Sequence, residues 1–490
     1  MKALRDFVSP SNDPSWPKAG ALAAALVLAL LFVLPGCAEP VRQVIGRPVI
    51  DAPISADTIF GEATLGENRS VEAIGKLSAP QTSNGPLTLD ECLEIARKVS
   101  PAIDSADQGY AGAVWSRWKA ITDFLPTAST RYAVTHTGDP NPATYGHDSW
   151  SWGVTVSQPI FTGGLNTAKY LLSQLGIAAA DIQKIQARED LKLGVKQAYY
   201  GILASEKALA VAKTSVVNLS SHLNVARNFF EVGMVPQNQV LQAEVELAKA
   251  QQEETTQERN LIVNKARLNI LLRRPVDSPI SVKDELRQDR FPLTMGECLE
   301  TGLRDNPEIR LGRNQVESGA KNVDVARSGL YPQISVSWSS SSAGNTAAVN
   351  DSHDWNMAAV ASFNFWEWGR TKADVEISKV QLNQAIDSLT SLEDNTKLEV
   401  TTNYQTLVSA GRNITVASKA VEAAAEDLRM VSERFQEQVA TNTEVLDAQT
   451  RYSEAQYEYY QALYNYNLAW ASLERTMGRR VTTAGLSPAE

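Results

Sequence analysis

Over residues 165–230, apolar side chains return every three or four positions. Leu172, Leu175, Ile182, Ile185, Leu191, Val195, Ala198 and Ile202 fall on one face of a helix. The stretch 370–435 behaves the same way, and neither contains a proline, so each predicts one unbroken helix. At 1.5 Å per residue such a helix is a rod of about 100 Å. That far exceeds the globular mean of about 12 residues. The pattern breaks at Val232-Gly233-Met234-Val235-Pro236 and at Gln438-Val439-Ala440-Thr441-Asn442, and return helices about half as long are predicted over 238–273 and 443–477. The last of these carries a heptad, Val445/Ala448, Tyr452/Ala455, Tyr459/Ala462 and Tyr466/Ala469. Large and small residues at this spacing suit a knobs-into-holes seam, so these tyrosines are read as core, not as a ligand box.

Ahead of each rod the period shortens. Stretches 127–137 and 150–158, then 333–342 and 355–365, are rich in Ser, Thr, Val and aromatic residues and predict a strand pair in each half. Loops over 138–149 and 343–354 separate them, and the strands end at Gly163-Gly164 and Trp368-Gly369. Before the strands stands a short helix, then a second opening at Pro101 or Pro307 and ending before Pro126 or Pro332. The 101–125 helix and the return helix together nearly match one rod in length. Stacked end to end they can line it, with the strands at one end and the helix turns at the other.

This order occurs twice. Leu87-Thr88-Leu89-Asp90-Glu91-Cys92-Leu93-Glu94 returns as Leu293-Thr294-Met295-Gly296-Glu297-Cys298-Leu299-Glu300, Ser100-Pro101 as Asn306-Pro307, and Leu125-Pro126 as Tyr331-Pro332. A spacing held across separate motifs marks an internal repeat. The expected fold is mostly α with a small β part: two structural repeats, long coiled-coil helical hairpins and four strands per chain. Repeat one spans 87–275, a linker 276–292, repeat two 293–477 and a tail 478–490.

The N-terminus differs. An apolar run over 19–34 follows Lys2, Arg5 and Lys18 and stops at Pro35-Gly36-Cys37. At about 16 residues it falls short of the roughly 20 a spanning helix needs, and it reads as a secretory signal over 1–36. Leu34-Pro35-Gly36-Cys37 also resembles a bacterial lipobox, which implies lipidation of Cys37. Pro35 departs from the usual residue there, and Ala38 suits sorting to the outer membrane by the same resemblance. The other reading is a signal without lipid, or a short anchor. Residues 37–86, with Pro40, Pro48, Pro53, Pro80 and Pro86, read as an extended leader.

The 490 residues carry a net charge of -10 and no Lys/Arg cluster, so no nucleic-acid partner is expected. Cys92 and Cys298 sit at equivalent repeat positions as small buried apolar residues, with a disulfide between them left open. His136, His147 and His353 lie by the strand hairpins and His222 alone on a rod; all are expected to face solvent, not a metal. No phosphate loop, zinc spacing or catalytic motif is present, so neither enzyme activity nor a cofactor is expected and energy must come from a partner.

Four strands cannot close a barrel, and an exposed sheet of this size would aggregate. Several chains pooling their strands would resolve that. Here the sequence resembles the outer membrane efflux (TolC-like) family over 87–477. The resemblance rests on the doubled Leu-Thr-x-x-Glu-x-Leu-type opening, the Ser-Pro or Asn-Pro after it, the proline before the first strand, and Gln158-Pro159-Ile160-Phe161-Thr162-Gly163-Gly164 before the rod. It implies a homotrimer with a 12-stranded β-barrel in the outer membrane of a Gram-negative bacterium and a periplasmic α-helical barrel. It also implies a periplasmic adaptor and an inner-membrane pump of the resistance–nodulation–division (RND) or ATP-driven (ABC) class.

Glu444 and Asp447, three apart on one helix face, match the family's acidic pair at the constricted periplasmic mouth. Thr441-x-x-Glu444 is equally a capping box. Repeat one has Gln239 and Gln242 instead, and Ala440 stands where the family can place a basic residue. Six acids in a trimer should repel, raising some of their pKa values, and attract cations. Gly233, Met234, Val235 and Pro236, with Val439, Ala440 and Thr441, are candidate adaptor-docking tips, against plain hairpin closure. The rival reading of the whole is a non-conducting coiled-coil tether at the outer membrane.

Overall fold

The computed structural model describes residues 85–136, 148–344 and 352–482, with a few positions at 346–347, 349 and 485–486. Residues 1–84, which include Cys37, the signal and most of the leader, and the 137–147 loop with His147 lie outside the described residues.

Repeat one runs α1 (Leu89–Val99), α2 (Pro101–Thr122), β1 (Thr127–His136), β2 (Asp148–Phe161), α3 (Leu165–Glu231) and α4 (Gln237–Leu271). Repeat two runs α5 (Met295–Asp305), α6 (Pro307–Arg327), β3 (Gln333–Gly344), β4 (Ser352–Ser362), α7 (Arg370–Gln436) and α8 (Asn442–Met477). The rods α3 and α7 are 67 residues each.

Local chemistry sets the boundaries. Thr88 and Thr294 close capping boxes with Glu91 and Glu297, so each repeat opens on the same doubly bonded turn. Both rods start from a left-handed glycine, Gly164 at φ 86° and Gly369 at φ 84°. The preceding residue is also left-handed in both: Gly163 at φ 63° and Trp368 at φ 53°. A Cβ on Gly163 would lie 2.6 Å from the Ser328 carbonyl oxygen and 2.9 Å from Tyr331 Cβ, so glycine is required there by space as well as by φ.

The four strands form one antiparallel sheet in the order β1-β2-β3-β4. Their register separates two faces. Tyr132 pairs with Trp152, Val134 with Trp150, Val156 with Trp338 and Trp338 with Met357 on an apolar face. Ser129, Thr155, Ser339 and Asn356 line up across the other. A largely period-2 alternation, with Ser340 and Ser342 among the exceptions on the apolar face, suits a sheet whose one face meets an apolar medium. β2 extends past the predicted end at 158 to Phe161, through a bulge at Pro159. β1 pairs no further than Ser157, so Pro159 lies beyond the β1 ladder, at the end of β2 where it faces Ser335 of β3. β4 stops at Ser362, short of the predicted 365, leaving Phe363, Phe365, Trp366 and Trp368 exposed between strand and rod.

The helices pack as neighbours in the order α4, α3, α8, α7, with α2 continuing the α4 row along α3 and α6 the α8 row along α7. The two largest cores fall one in each repeat. Cys92, Val195, Tyr199, Ile202, Leu203 and Leu268 build the first, and Cys298, Val400, Leu407, Leu463, Leu473 and Met477 the second. Each large side chain so enclosed contributes about 1.5–3 kcal/mol. Both thiols are free and fully buried, and burial raises their pKa to about 12 for Cys92 and about 11 for Cys298, as packing residues. Val445, Ala448, Ala455, Ala462, Tyr466 and Ala469 of the heptad are buried, as a seam requires.

The linker is not a free connection. It runs across the rods, with Val282 bridged to Leu87, Lys283 O accepting from Tyr199 OH at 2.7 Å and Asp289 O accepting from Tyr466 OH at 2.5 Å. Lys196 of α3 and Glu474 of α8 form a buried ion pair joining the repeats, and Glu474 also accepts from the Val481 N–H at 2.7 Å. Beside it Arg475 reaches Asp190 at 3.0 Å and Glu308 at 2.7 Å.

Candidate functional site

The predicted mouth residues gather where α3 turns into α4 and α7 into α8. The two turns have one geometry built from different residues. Gly233 takes φ 75°, and the equivalent position in repeat two takes φ 64° with a glutamine, Gln438. In each, the following residue's N–H closes onto the rod: Met234 to Phe229 O at 2.7 Å and Val439 to Arg434 O at 2.8 Å. A non-glycine left-handed residue is disfavoured by about 1–2 kcal/mol. Gln438 offsets this with a side-chain bond, its Nε2 donating to Met234 Sδ at 2.9 Å, so the two turns touch.

Of the turn residues read from sequence, Val232 (67%), Met234 (58%) and Val439 (65%) project into solvent. Val235 is half-buried and Ala440 buried, and Ala440 packs with Val431, Phe435, Val445 and Ala448. Gly233, Pro236 and Thr441 are exposed and shape the turns.

Glu444 and Asp447 occupy successive turns of α8 but have different surroundings. Glu444 completes the capping box: its Oε1 accepts from the Thr441 N–H at 3.2 Å and the Thr441 hydroxyl at 2.9 Å, while the Glu444 N–H donates to Thr441 Oγ1 at 3.3 Å. Arg434 Nη1 stands 4.0 Å from its other oxygen. The Thr441 bonds first, and Arg434 after them, hold the Glu444 carboxyl below the usual range. This differs from the upward push expected of crowded acids, because within one chain the neighbours of Glu444 are donors. The basic partner missing at 440 arrives from the preceding rod instead. Asp447 is exposed in a groove of about 640 Å³ between α4 and α8, alongside Gln242, Val245 and Arg451.

Beneath the turns lies a polar cluster that the sequence reading missed. Asn442 is 1% exposed; its Nδ2 donates to Gln239 O at 3.3 Å and Gln242 Oε1 at 3.4 Å, and its Oδ1 lies 2.6 Å from His222 Nε2. An amide oxygen only accepts, so Nε2 carries the hydrogen. One turn deeper, Asn218 Nδ2 donates to Gln449 Oε1 at 3.1 Å. His222 is therefore neither alone nor solvent-facing, as had been expected. It is half-buried, 4.8 Å from the Phe435 ring, because its face of α3 turns toward repeat two. His136 pairs with Asp148 at 2.7 Å and His353 with Ser342 at 2.7 Å, both at the surface. Among the described residues no group of three or more His, Cys, Asp and Glu side chains could hold a metal, and no helix is long and apolar enough to cross a membrane.

A sheet with one apolar face and two open edges, standing on long paired helices that end in an acid-bearing turn, defines an outer-membrane duct subunit. The chain belongs to the outer membrane efflux protein family, whose model matches residues 115–272 and 299–479. Among curated proteins it is similar to the outer membrane efflux protein BepC of Brucella suis, 23% identical over 324 residues that cover 63% of this chain and 67% of that one. It is also similar to the pyoverdine export outer membrane protein OpmQ of Pseudomonas aeruginosa, 22% identical over 49% of this chain and 51% of that one. The matched stretches thus span about half to two thirds of these relatives' lengths. Solved structures of the same fold include CusC (TM-score 0.71, 16% identity, 79% of this chain and 91% of that one) and VceC of Vibrio cholerae (0.69, 16%, 80% and 96%). The open-state MtrE channel of Neisseria gonorrhoeae aligns at TM-score 0.68 and 18% identity over 80% of this chain and 88% of that one. Family and fold place the chain in the outer membrane with a large periplasmic helical part, among transport channels rather than enzymes.

Proposed function

We propose that three copies of this chain close into one conduit, a 12-stranded barrel continued by a helical tunnel, serving as the exit duct of a tripartite efflux or type I secretion system. The observation that carries this is the sheet: four strands with an apolar face and, among the described residues, no strand partner on the outer edges of β1 and β4. Such edges need partners, and identical neighbours offer them with closed symmetry. The exposed tips Val232, Met234 and Val439 are the surface for a periplasmic adaptor, and an RND or ABC pump supplies the energy. Glu444 and Asp447 line the mouth from repeat two, with Arg434 and Thr441 holding Glu444 in place. We read 1–36 as a secretory signal, Cys37 as the lipidated residue, 37–86 as a leader, 276–292 as the inter-repeat linker and 478–490 as a tail.

The test is single-channel recording of the purified protein in planar bilayers. Discrete conductance steps from a trimer support the duct. A silent monomer supports the rival reading, a periplasmic tether.

A further inference from the structure

At mid-height the four-helix wall has two unlike faces. One is covered by the linker, with Lys207 paired to Asp284 at 2.5 Å and Asn467 Nδ2 donating to Arg287 O at 3.1 Å. The opposite face is an open groove of about 1800 Å³ lined by all four helices, from Ser205 of α3 to Asn264 of α4, Thr402 of α7 and Gln461 of α8. A surface to which four neighbouring helices all contribute is the concave side of the wall. In a closed ring of three copies the concave side faces the axis.

The chemistry of this face is consistent along its length. Asn260, Asn264, Thr402, Gln405, Gln461 and Asn465 line it with uncharged amides and a hydroxyl. Some bond among themselves: Asn264 Nδ2 donates to Ser205 Oγ at 2.6 Å and Gln461 Nε2 to Asn465 Oδ1 at 2.9 Å. The charged lining residues are Arg259, Arg267 and Glu458. Neither guanidinium has a carboxylate partner among the described residues. Arg259 donates to Asn260 Oδ1 at 3.1 Å and Arg267 to Asn264 Oδ1 at 3.5 Å, so neutral amides orient both and their charge is left uncompensated. In a chain of net charge -10, this wall carries two cations against one anion.

We propose that this groove is the mid-height wall of the conduit and favours neutral or anionic, hydrogen-bonding cargo over cations. The inference rests on the duct reading. Amides and hydroxyls replace part of a solute's hydration without trapping it, and the uncompensated guanidiniums raise the local concentration of anions.

The experiment measures the reversal potential of the purified protein under a KCl gradient, in a Glu444→Gln/Asp447→Asn background so that the mouth does not mask the wall. At low salt, with a Debye length near ~30 Å, wall charges act across the bore. Arg259→Gln/Arg267→Gln should lower the chloride-to-potassium permeability ratio by about threefold or more, while Glu458→Gln raises it. Arg259→Lys/Arg267→Lys should restore the starting ratio, which separates charge from packing. Conductance with an unchanged ratio in all variants overturns this inference and leaves the duct standing. No conductance in the unaltered protein overturns both.

Discussion

His222 Nε2 lies 2.6 Å from Asn442 Oδ1, and this one contact ties the rod of repeat one to the first residue of the return helix of repeat two. The two hairpins cannot separate at the mouth without breaking it. Burial lowers the pKa of His222, with the Asn442 bond opposing, so the folded mouth prefers neutral imidazole. A depressed histidine contributes stability that is full above its unfolded value near 6.5 and lost as pH falls through the folded value. Amide protection over 218–231 and 437–449, taken relative to the intrinsic exchange rate at each pH, should therefore fall between about pH 7.5 and about pH 5.5. In His222→Gln the protection should no longer fall on acidification; an undiminished pH response would assign the effect to another group.

Glu444 is a cap and, on the proposed function, also a mouth charge, and variants separate the two roles. Thr441→Ala removes the cap and should destabilise the first turn of α8 by about 1 kcal/mol while keeping the charge. Glu444→Gln retains a capping side chain but removes the charge. If the acids attract cations, Glu444→Gln/Asp447→Asn relieves divalent-cation block of conductance and Thr441→Ala does not. Equal block in all three proteins would rule out the acidic ring.

The tips are predicted to bind apolar groups on the adaptor. Met234→Glu and Val439→Glu alter side chains that are already mostly exposed, so trimer yield should hold. Site-specific cross-linking to the adaptor and efflux-dependent resistance should fall at least about tenfold, as expected when a buried interface anchor becomes charged. Unchanged cross-linking would leave the turns as hairpin closures only.

Lys196 and Glu474 are 14% and 6% exposed, so neither is well solvated once its partner is gone. Lys196→Ala should cost about 3–5 kcal/mol, read as a shift of the urea midpoint, because it strands a buried carboxylate. Lys196→Met/Glu474→Gln should recover most of that loss. A single variant as stable as the parent would mean that water reaches the pair.

The rods, the strands and the doubling were legible because each depends on neighbours a few residues away: apolar spacing for α3 and α7, period-2 alternation for β1 to β4, threonine and glutamate three apart for the caps. Gly163 and Trp368 mark the limit of such reading. Both are left-handed, yet one is a glycine under steric constraint and the other an 89% exposed tryptophan, and no local pattern predicts that difference.

The sequence by itself determined the elements, their order and the family, since periodicity, capping and repetition are local properties of the chain. Only the tertiary structure decided the surroundings of the proposed mouth. It set Arg434 beside Glu444, turned Ala440 inward, buried Asn442 against His222 and placed Arg259 and Arg267, with no carboxylate partner among the described residues, in the groove lined by four helices. Those pairings join residues up to about two hundred positions apart, and their distances follow from how rods of 67 residues pack side by side, which no short window of sequence encodes.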